Sequence, residues 1–161
     1  MEFAFFIEAK RTARADDSCN FLEGSNGWSF FVMLNYIWIM LGGALGTGAR
    51  YWASGLVAER FGEVFPLGTL FVNVTGSFII GFFAAVIEPE GPFLVSPRLR
   101  EFVMIGFCGG YTTFSSFSLQ TLELARDGDW LRAGLNSVLS LVCCFLFVWL
   151  GRVLGLLLLP R

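Results

Sequence analysis

Long uncharged runs separated by short charged connections dominate the chain. Residues 33–49 form the first run, with helical character continuing past Arg50 toward Val57; residues 65–87, 102–122 and 133–151 form the others, and residues 153–159 prolong the last beyond Arg152. Each run approaches or exceeds the roughly 20 residues that cross a bilayer's hydrocarbon core. The connections hold Glu59, Arg60 and Glu63, then Glu88, Glu90, Arg98, Arg100 and Glu101, then Arg126, Asp127, Asp129 and Arg132. Pro66, Pro89, Pro92 and Pro97 fall at the ends of the runs, where proline stops or starts a helix. In lipid every backbone N–H and C=O must find its partner inside the protein, so these runs are helices and not open strands. The pattern predicts an all-α membrane protein with four transmembrane helices. No internal repeat is visible at solenoid periods.

Composition narrows the chemistry. The chain is 55% hydrophobic and 15% charged, where soluble domains carry about a quarter charged residues. A net charge of -2 gives no reason to expect nucleic acid. The absence of His removes the commonest general base and transition-metal ligand, and with it nucleophile–His–acid catalysis within one chain. Cys19, Cys108, Cys143 and Cys144 fit no metal-ligand spacing, and three of them lie in apolar runs, so they read as small buried hydrophobes. No enzyme constellation is present.

Residues 1–32 differ from the rest, with charges from Glu2 to Glu23 and no long apolar stripe. A signal peptide has a basic start followed by an apolar core; here Glu2 comes early and the charged stretch follows the apolar one. The segment is read as an N-terminal extension, disordered or a misassigned start, ahead of a membrane domain at 33–161. Orientation follows the bias of Lys and Arg between the two sides of the membrane. From Met33 onward the sides tie at three each, Arg98, Arg100 and Arg161 against Arg60, Arg126 and Arg132. A balanced chain can insert both ways up.

Three stretches are polar or glycine-rich where lipid disfavours it. The first is Gly-Gly-Ala-Leu-Gly-Thr-Gly-Ala-Arg-Tyr at 42–51, a small-residue face for close helix approach that ends in Arg50. That arginine either snorkels to the interface or faces a partner or water. The second is Gly-Thr-Leu-Phe-Val-Asn-Val-Thr-Gly-Ser at 68–77, with Thr69, Asn73 and Gly76 on one helix face. Asn73 either bonds a neighbouring helix or donates to an ion in a pore. The third is Gly-Phe-Cys-Gly-Gly-Tyr-Thr-Thr-Phe-Ser-Ser-Phe-Ser at 106–118, whose glycine pair and β-branched hydroxyl residues favour a break in mid-span. Broken helices persist at membrane depth only where the freed carbonyls meet an ion, water or protein. Phe114 and Phe117 share a face among Ser115, Ser116 and Ser118; aromatic edges carry positive quadrupole charge against which a small anion can lie. On the last helix Asn136 and Ser140, one turn apart, either continue a polar track or bond between helices.

These stretches, in this order across four short helices, resemble the Fluc (CrcB) family of fluoride channels over roughly residues 33–159. The resemblance implies a passive, fluoride-selective channel of the bacterial inner membrane that lowers cytoplasmic fluoride, built as an antiparallel, dual-topology homodimer with broken third helices crossing at its centre. It implies a structural, non-transported sodium ion held by the carbonyls of Gly109 and Thr112, and a fluoride path along Phe114, Phe117, Thr69, Asn73, Ser140, Asn136 and Arg50. Gln120 stands where the family often has Glu. The alternatives are a four-helix proton-coupled multidrug exporter, which needs a membrane-embedded carboxylate that the first two helices lack, and an assembly subunit without transport, which leaves the broken, hydroxyl-rich helix unexplained.

Overall fold

The computed structural model describes residues 25–62, 64–87 and 96–158. The chain divides into two units, Met1–Tyr36 and Ile37–Arg161. The described part of the first unit is the helical stretch 25–36. All described secondary structure is helical: α1 (Ser25–Phe61), α2 (Leu67–Val86), α3 (Pro97–Arg100), α4 (Cys108–Tyr111), α5 (Phe114–Arg126) and α6 (Trp130–Leu158), with a π-helical turn at Glu101–Phe107 joining α3 to α4. By length and composition four segments can cross a membrane: Val32–Phe61, Leu67–Val86, Pro97–Arg126 and Trp130–Leu158. The four expected spans are therefore present, and α1 starts ahead of Met33. The expected extension lies mostly outside the described residues, as do Cys19, Pro89 and Pro92.

Local chemistry sets the helix ends. Gly62 stops α1 in the left-handed conformation, φ +80°, and its N–H bonds the Ala58 carbonyl at 2.8 Å. Pro66 precedes α2, and Pro97 is the first residue of α3 after Ser96, whose hydroxyl accepts from Leu99 N–H. Gly128, φ +81°, ends α5. Asp129 then caps α6 by accepting from Arg132 N–H at 3.2 Å, and pairs with the same arginine's side chain at 2.9 Å.

The packing reverses the soluble pattern. Leu131, Leu157 and Trp130 are among many large apolar side chains left exposed, while Thr69, Thr113, Asn136 and Ser140 are buried. Lipid is as apolar as Leu, so helices associate through close backbone approach and polar contacts and not through a greasy interior. Glycines make that approach possible between α2 and α6. A Cβ on Gly81 would overlap the Val148 carbonyl, and one on Gly151 would overlap that of Phe78. On α1, Gly42 and Gly46 press against the carbonyls of Phe102 and Phe107 in the π-helical turn, and Trp38 meets Phe102 edge-on at 5.9 Å. Val72, Ala53 and Tyr111 form a small buried cluster, with Ala49 and Phe107 against it. Cys108, Cys143 and Cys144 are free thiols, the first buried and the other two half-buried.

The third span is broken, as the glycine pair and paired threonines predict. Thr112 (φ -87°, ψ 158°) and Thr113 (φ -151°, ψ 112°) are extended between α4 and α5. The π-helical turn was not anticipated. Such turns arise from one extra residue per turn, and an apolar run shows no trace of it.

Gly81→Val or Gly151→Val should destabilise the protein by about 1–3 kcal/mol through overpacking. The readout is the unfolding midpoint in detergent and the loss of a single elution peak. Gly134→Ala, where a Cβ meets nothing within 4 Å, should leave both unchanged.

Candidate functional site

The break is held by one side chain from α2. Thr113 N–H donates to Asn73 Oδ1 at 2.7 Å, and Asn73 Nδ2 donates to the Thr113 carbonyl at 3.0 Å. The amide thus engages Thr113 as a neighbouring strand would, satisfying both of its backbone groups. In a continuous helix Thr113 N–H would bond the Gly109 carbonyl. Its diversion to Asn73 leaves that oxygen without its helical donor. Thr112 turns back instead: its N–H and hydroxyl both donate to the Cys108 carbonyl, at 3.0 and 2.9 Å. Among the described residues none donates to the carbonyl of Gly109 or Thr112. Gly76 opens the space, since a Cβ there would run into the Thr112 methyl group. Tyr111 is fixed on the other flank by a 3.0 Å hydrogen bond to the Thr75 hydroxyl and by stacking on Phe107.

Two cavities meet at this point. The smaller, about 440 Å³, is lined by Asn73, Ser77, Phe114, Phe117 and Ser140 among others, and by Gly109 and Thr112. The rings of Phe114 and Phe117 lie 5.3 Å apart and tilted by 50°. Phe114 is 75% exposed. The Ser140 hydroxyl is buried and finds no hydrogen-bond partner. No titratable carboxylate lines this cavity.

The larger cavity, about 1060 Å³, is charged. Arg50, Arg132, Glu123, Asp127 and Asp129 line it, with Thr69 buried in its wall. Arg50 is half-buried and faces this cavity. Gln120 Oε1 is buried there without a partner.

The residues singled out in the sequence thus separate into two groups. Asn73, Phe114, Phe117 and Ser140 gather around the smaller cavity with Gly109 and Thr112, while Arg50 and Thr69 belong to the larger. Asn136 lines neither. It is 1% exposed and donates to the Thr121 hydroxyl at 2.7 Å, which donates in turn to the Phe117 carbonyl at 2.7 Å. Of the two readings open for Asn73, the bond to a neighbouring helix is present, and Nδ2 keeps a second hydrogen.

The sequence reading gave Thr113 a part only in the break, and gave Ser77 and Thr121 none. For Thr113 a signal existed: it stands three residues before Ser116, and its hydroxyl accepts from Ser116 N–H at 3.2 Å as the N-cap of α5. The described residues hold no group of three or more Cys, Asp or Glu able to bind a metal. The oxygens on offer to a hard cation at the break are carbonyls.

A family profile described as CrcB-like protein, Camphor Resistance (CrcB), matches residues 37–152. A protein of Methylocella silvestris named fluoride-specific ion channel FluC is 57% identical over 122 residues, 76% of this chain and 93% of the relative. One of the same name from Opitutus terrae is 64% identical over 118 residues, 73% and 89% of the two chains. A third, from Rhodospirillum rubrum, is 52% identical over 120 residues, 74% and 93%.

Asn73→Leu keeps the bulk and removes the amide. Leaving the buried N–H of Thr113 unpaired should cost about 1–3 kcal/mol, read as a fall of several degrees in the unfolding midpoint. Ser77→Ala, one turn along α2, should change it little.

Proposed function

The chain belongs to the CrcB family, and we propose that it is a passive, fluoride-selective channel that lowers cytoplasmic fluoride as an antiparallel homodimer. It is a multi-pass membrane protein of the bacterial inner membrane type and not an enzyme. The observation that carries the channel reading is the smaller cavity. It brings hydroxyl, amide and aromatic-edge groups together without a carboxylate to repel an anion and without a fixed cation to trap one. Conduction needs sites that attract an ion weakly and release it, and ring edges and hydroxyls meet that need. The relatives named as fluoride-specific channels favour fluoride as the ion. With no proton-coupling group in this cavity, the membrane potential drives the anion outward. Arg50, half-buried, lines the larger cavity, where Arg132 is paired with Asp129 and the carboxylates of Glu123 and Asp127 also stand. Family membership also removes the support for a multidrug exporter.

Two features favour the dimer. Phe114 is exposed although its chemistry belongs to the cavity. The Gly109 and Thr112 carbonyls lack protein donors, and in lipid such groups need another ligand. Two oxygens from one chain are too few for a hard cation, which prefers several. A twofold axis through the break supplies four. The donor set therefore fits a sodium ion, which Gly109 and Thr112 would hold and which would neutralise the orphaned carbonyls.

The reading is tested by loading purified protein into liposomes with fluoride and following its release with a fluoride electrode. Release without an imposed proton gradient, and no comparable release of chloride, is expected; dependence on a proton gradient or equal chloride flux contradicts it. In the same assay Phe114→Ile or Phe117→Ile should lower fluoride flux severely at nearly normal dimer yield. Replacing sodium by a bulky organic cation should weaken the dimer or abolish flux, with lithium a poor substitute.

A further inference from the structure

Thr113 occupies a place that no other described residue shares: it lines both cavities. On one side are Arg50, Gln120 and the charges of the larger cavity; on the other are Phe114, Phe117 and Ser140. The division follows the chain closely. Val72 and Ser116 face the larger cavity, and their neighbours Asn73 and Phe117 face the smaller. The wall between the two is therefore about one side chain thick at Thr113.

That side chain is buried, 8% exposed, and its backbone is pinned by Asn73. Its hydroxyl is the centre of a hydroxyl cluster. Thr113 Oγ1 lies 3.1 Å from Ser116 Oγ, to which it donates, and 3.2 Å from Ser115 Oγ, while accepting from Ser116 N–H. A hydroxyl proton rotates to suit its acceptor, so this cluster holds donors that are interchangeable between neighbours and an arriving anion. Each side of the wall also carries a buried polar atom that the protein leaves unpartnered, Gln120 Oε1 in the larger cavity and Ser140 Oγ in the smaller. Buried polar groups are normally satisfied. Each cavity thus has a polar atom that no described residue completes.

The geometry points to the Thr113 hydroxyl as the selectivity threshold of the path, the donor that takes a small anion from the charged cavity into the aromatic one. The step is one of ligand exchange. The anion loses a water on the Arg50 side and accepts the hydrogen bond of the Thr113 hydroxyl, which until then was donated to Ser116 Oγ. It then moves on to the Ser140 hydroxyl and the edges of Phe114 and Phe117. No bond within the protein other than hydrogen bonds changes. A small, strongly hydrogen-bonding anion gains most from a single hydroxyl in a tight wall, and a larger halide gains less. This inference rests on the channel reading above and adds to it the residue that discriminates.

The test compares Thr113→Val and Thr113→Ser with the unaltered protein in liposome efflux, measuring fluoride and chloride separately. Val keeps the shape and loses the hydroxyl; Ser keeps the hydroxyl. Fluoride flux in Thr113→Val should fall about ten- to a hundredfold, the range set by one hydrogen bond to an ion. Thr113→Ser should stay within about threefold, and neither should slow the small chloride leak. A role confined to capping α5 predicts instead that flux follows the unfolding midpoint, with fluoride and chloride unaffected relative to each other. Thr113→Val conducting fluoride as well as the unaltered protein overturns the inference. Unaltered protein that releases no fluoride overturns the channel reading itself, so the two failures are distinct. If Thr113→Val does not assemble, the Thr113 methyl resonance of unaltered protein in bilayers decides. It should shift with added fluoride and not with gluconate, and an unmoved resonance overturns the inference.

Discussion

The paired hydrogen bonds between the Asn73 amide and the Thr113 backbone are the contact on which the centre of this molecule depends. A membrane helix is stable because each N–H has its carbonyl one turn back. Breaking it in mid-span leaves N–H and C=O groups in a medium that supplies no water. Asn is the smallest side chain that carries a donor and an acceptor on one rigid plane, and here it takes the freed N–H of Thr113 and adds a donor to that residue's carbonyl. The Gly109 and Thr112 carbonyls are left over, and from them follows the proposal of a shared cation on a twofold axis. The same clamp sets Thr113 between the cavities and points the first turn of α5, with Phe114 and Phe117, into the smaller one.

Around the clamp, small residues set how near the helices come. Gly76 admits the Thr112 methyl group, and Gly42 and Gly46 let α1 reach the π-helical turn. The polar interior at Thr69, Thr113, Asn136 and Ser140 would be costly in a soluble core without partners. In this membrane protein such groups lie inside while many large apolar side chains face outward. Asn136 donates to Thr121, whose hydroxyl bonds the carbonyl of Phe117.

Much of this was legible in the residues. Hydropathy alone marked the four spans, because a hydrocarbon core excludes charge so strongly. The break at 112–113 was legible in the adjoining glycines and β-branched threonines. Phe114, Phe117, Asn73 and Ser140 line one cavity. Tertiary pairing was not legible. Nothing in the residues told whether Asn73 would face a pore or a neighbouring backbone, and it does the latter while still lining a cavity. Nor did periodicity separate Arg50 and Thr69 from the aromatic group, because both groups lie on polar faces of the same helices. The π-helical turn at Glu101–Phe107 carries no marker in an apolar run. Thr113 was hidden beside Thr112, an identical residue with a different task.

The central claim, that Asn73 holds the third span open beside the free carbonyls of Gly109 and Thr112, is tested most directly by solid-state NMR of bilayer-embedded protein labelled at threonine with carbonyl carbon-13 and amide nitrogen-15. Thr112–Thr113 is the only Thr–Thr step in the chain, so one carbonyl–amide correlation reports the break alone. The account predicts an extended, non-helical Thr112 carbonyl shift that moves when sodium is exchanged for an organic cation, and a Thr113 amide that changes in Asn73→Leu. A helical Thr112 shift, indifferent to both sodium and Asn73, would contradict it.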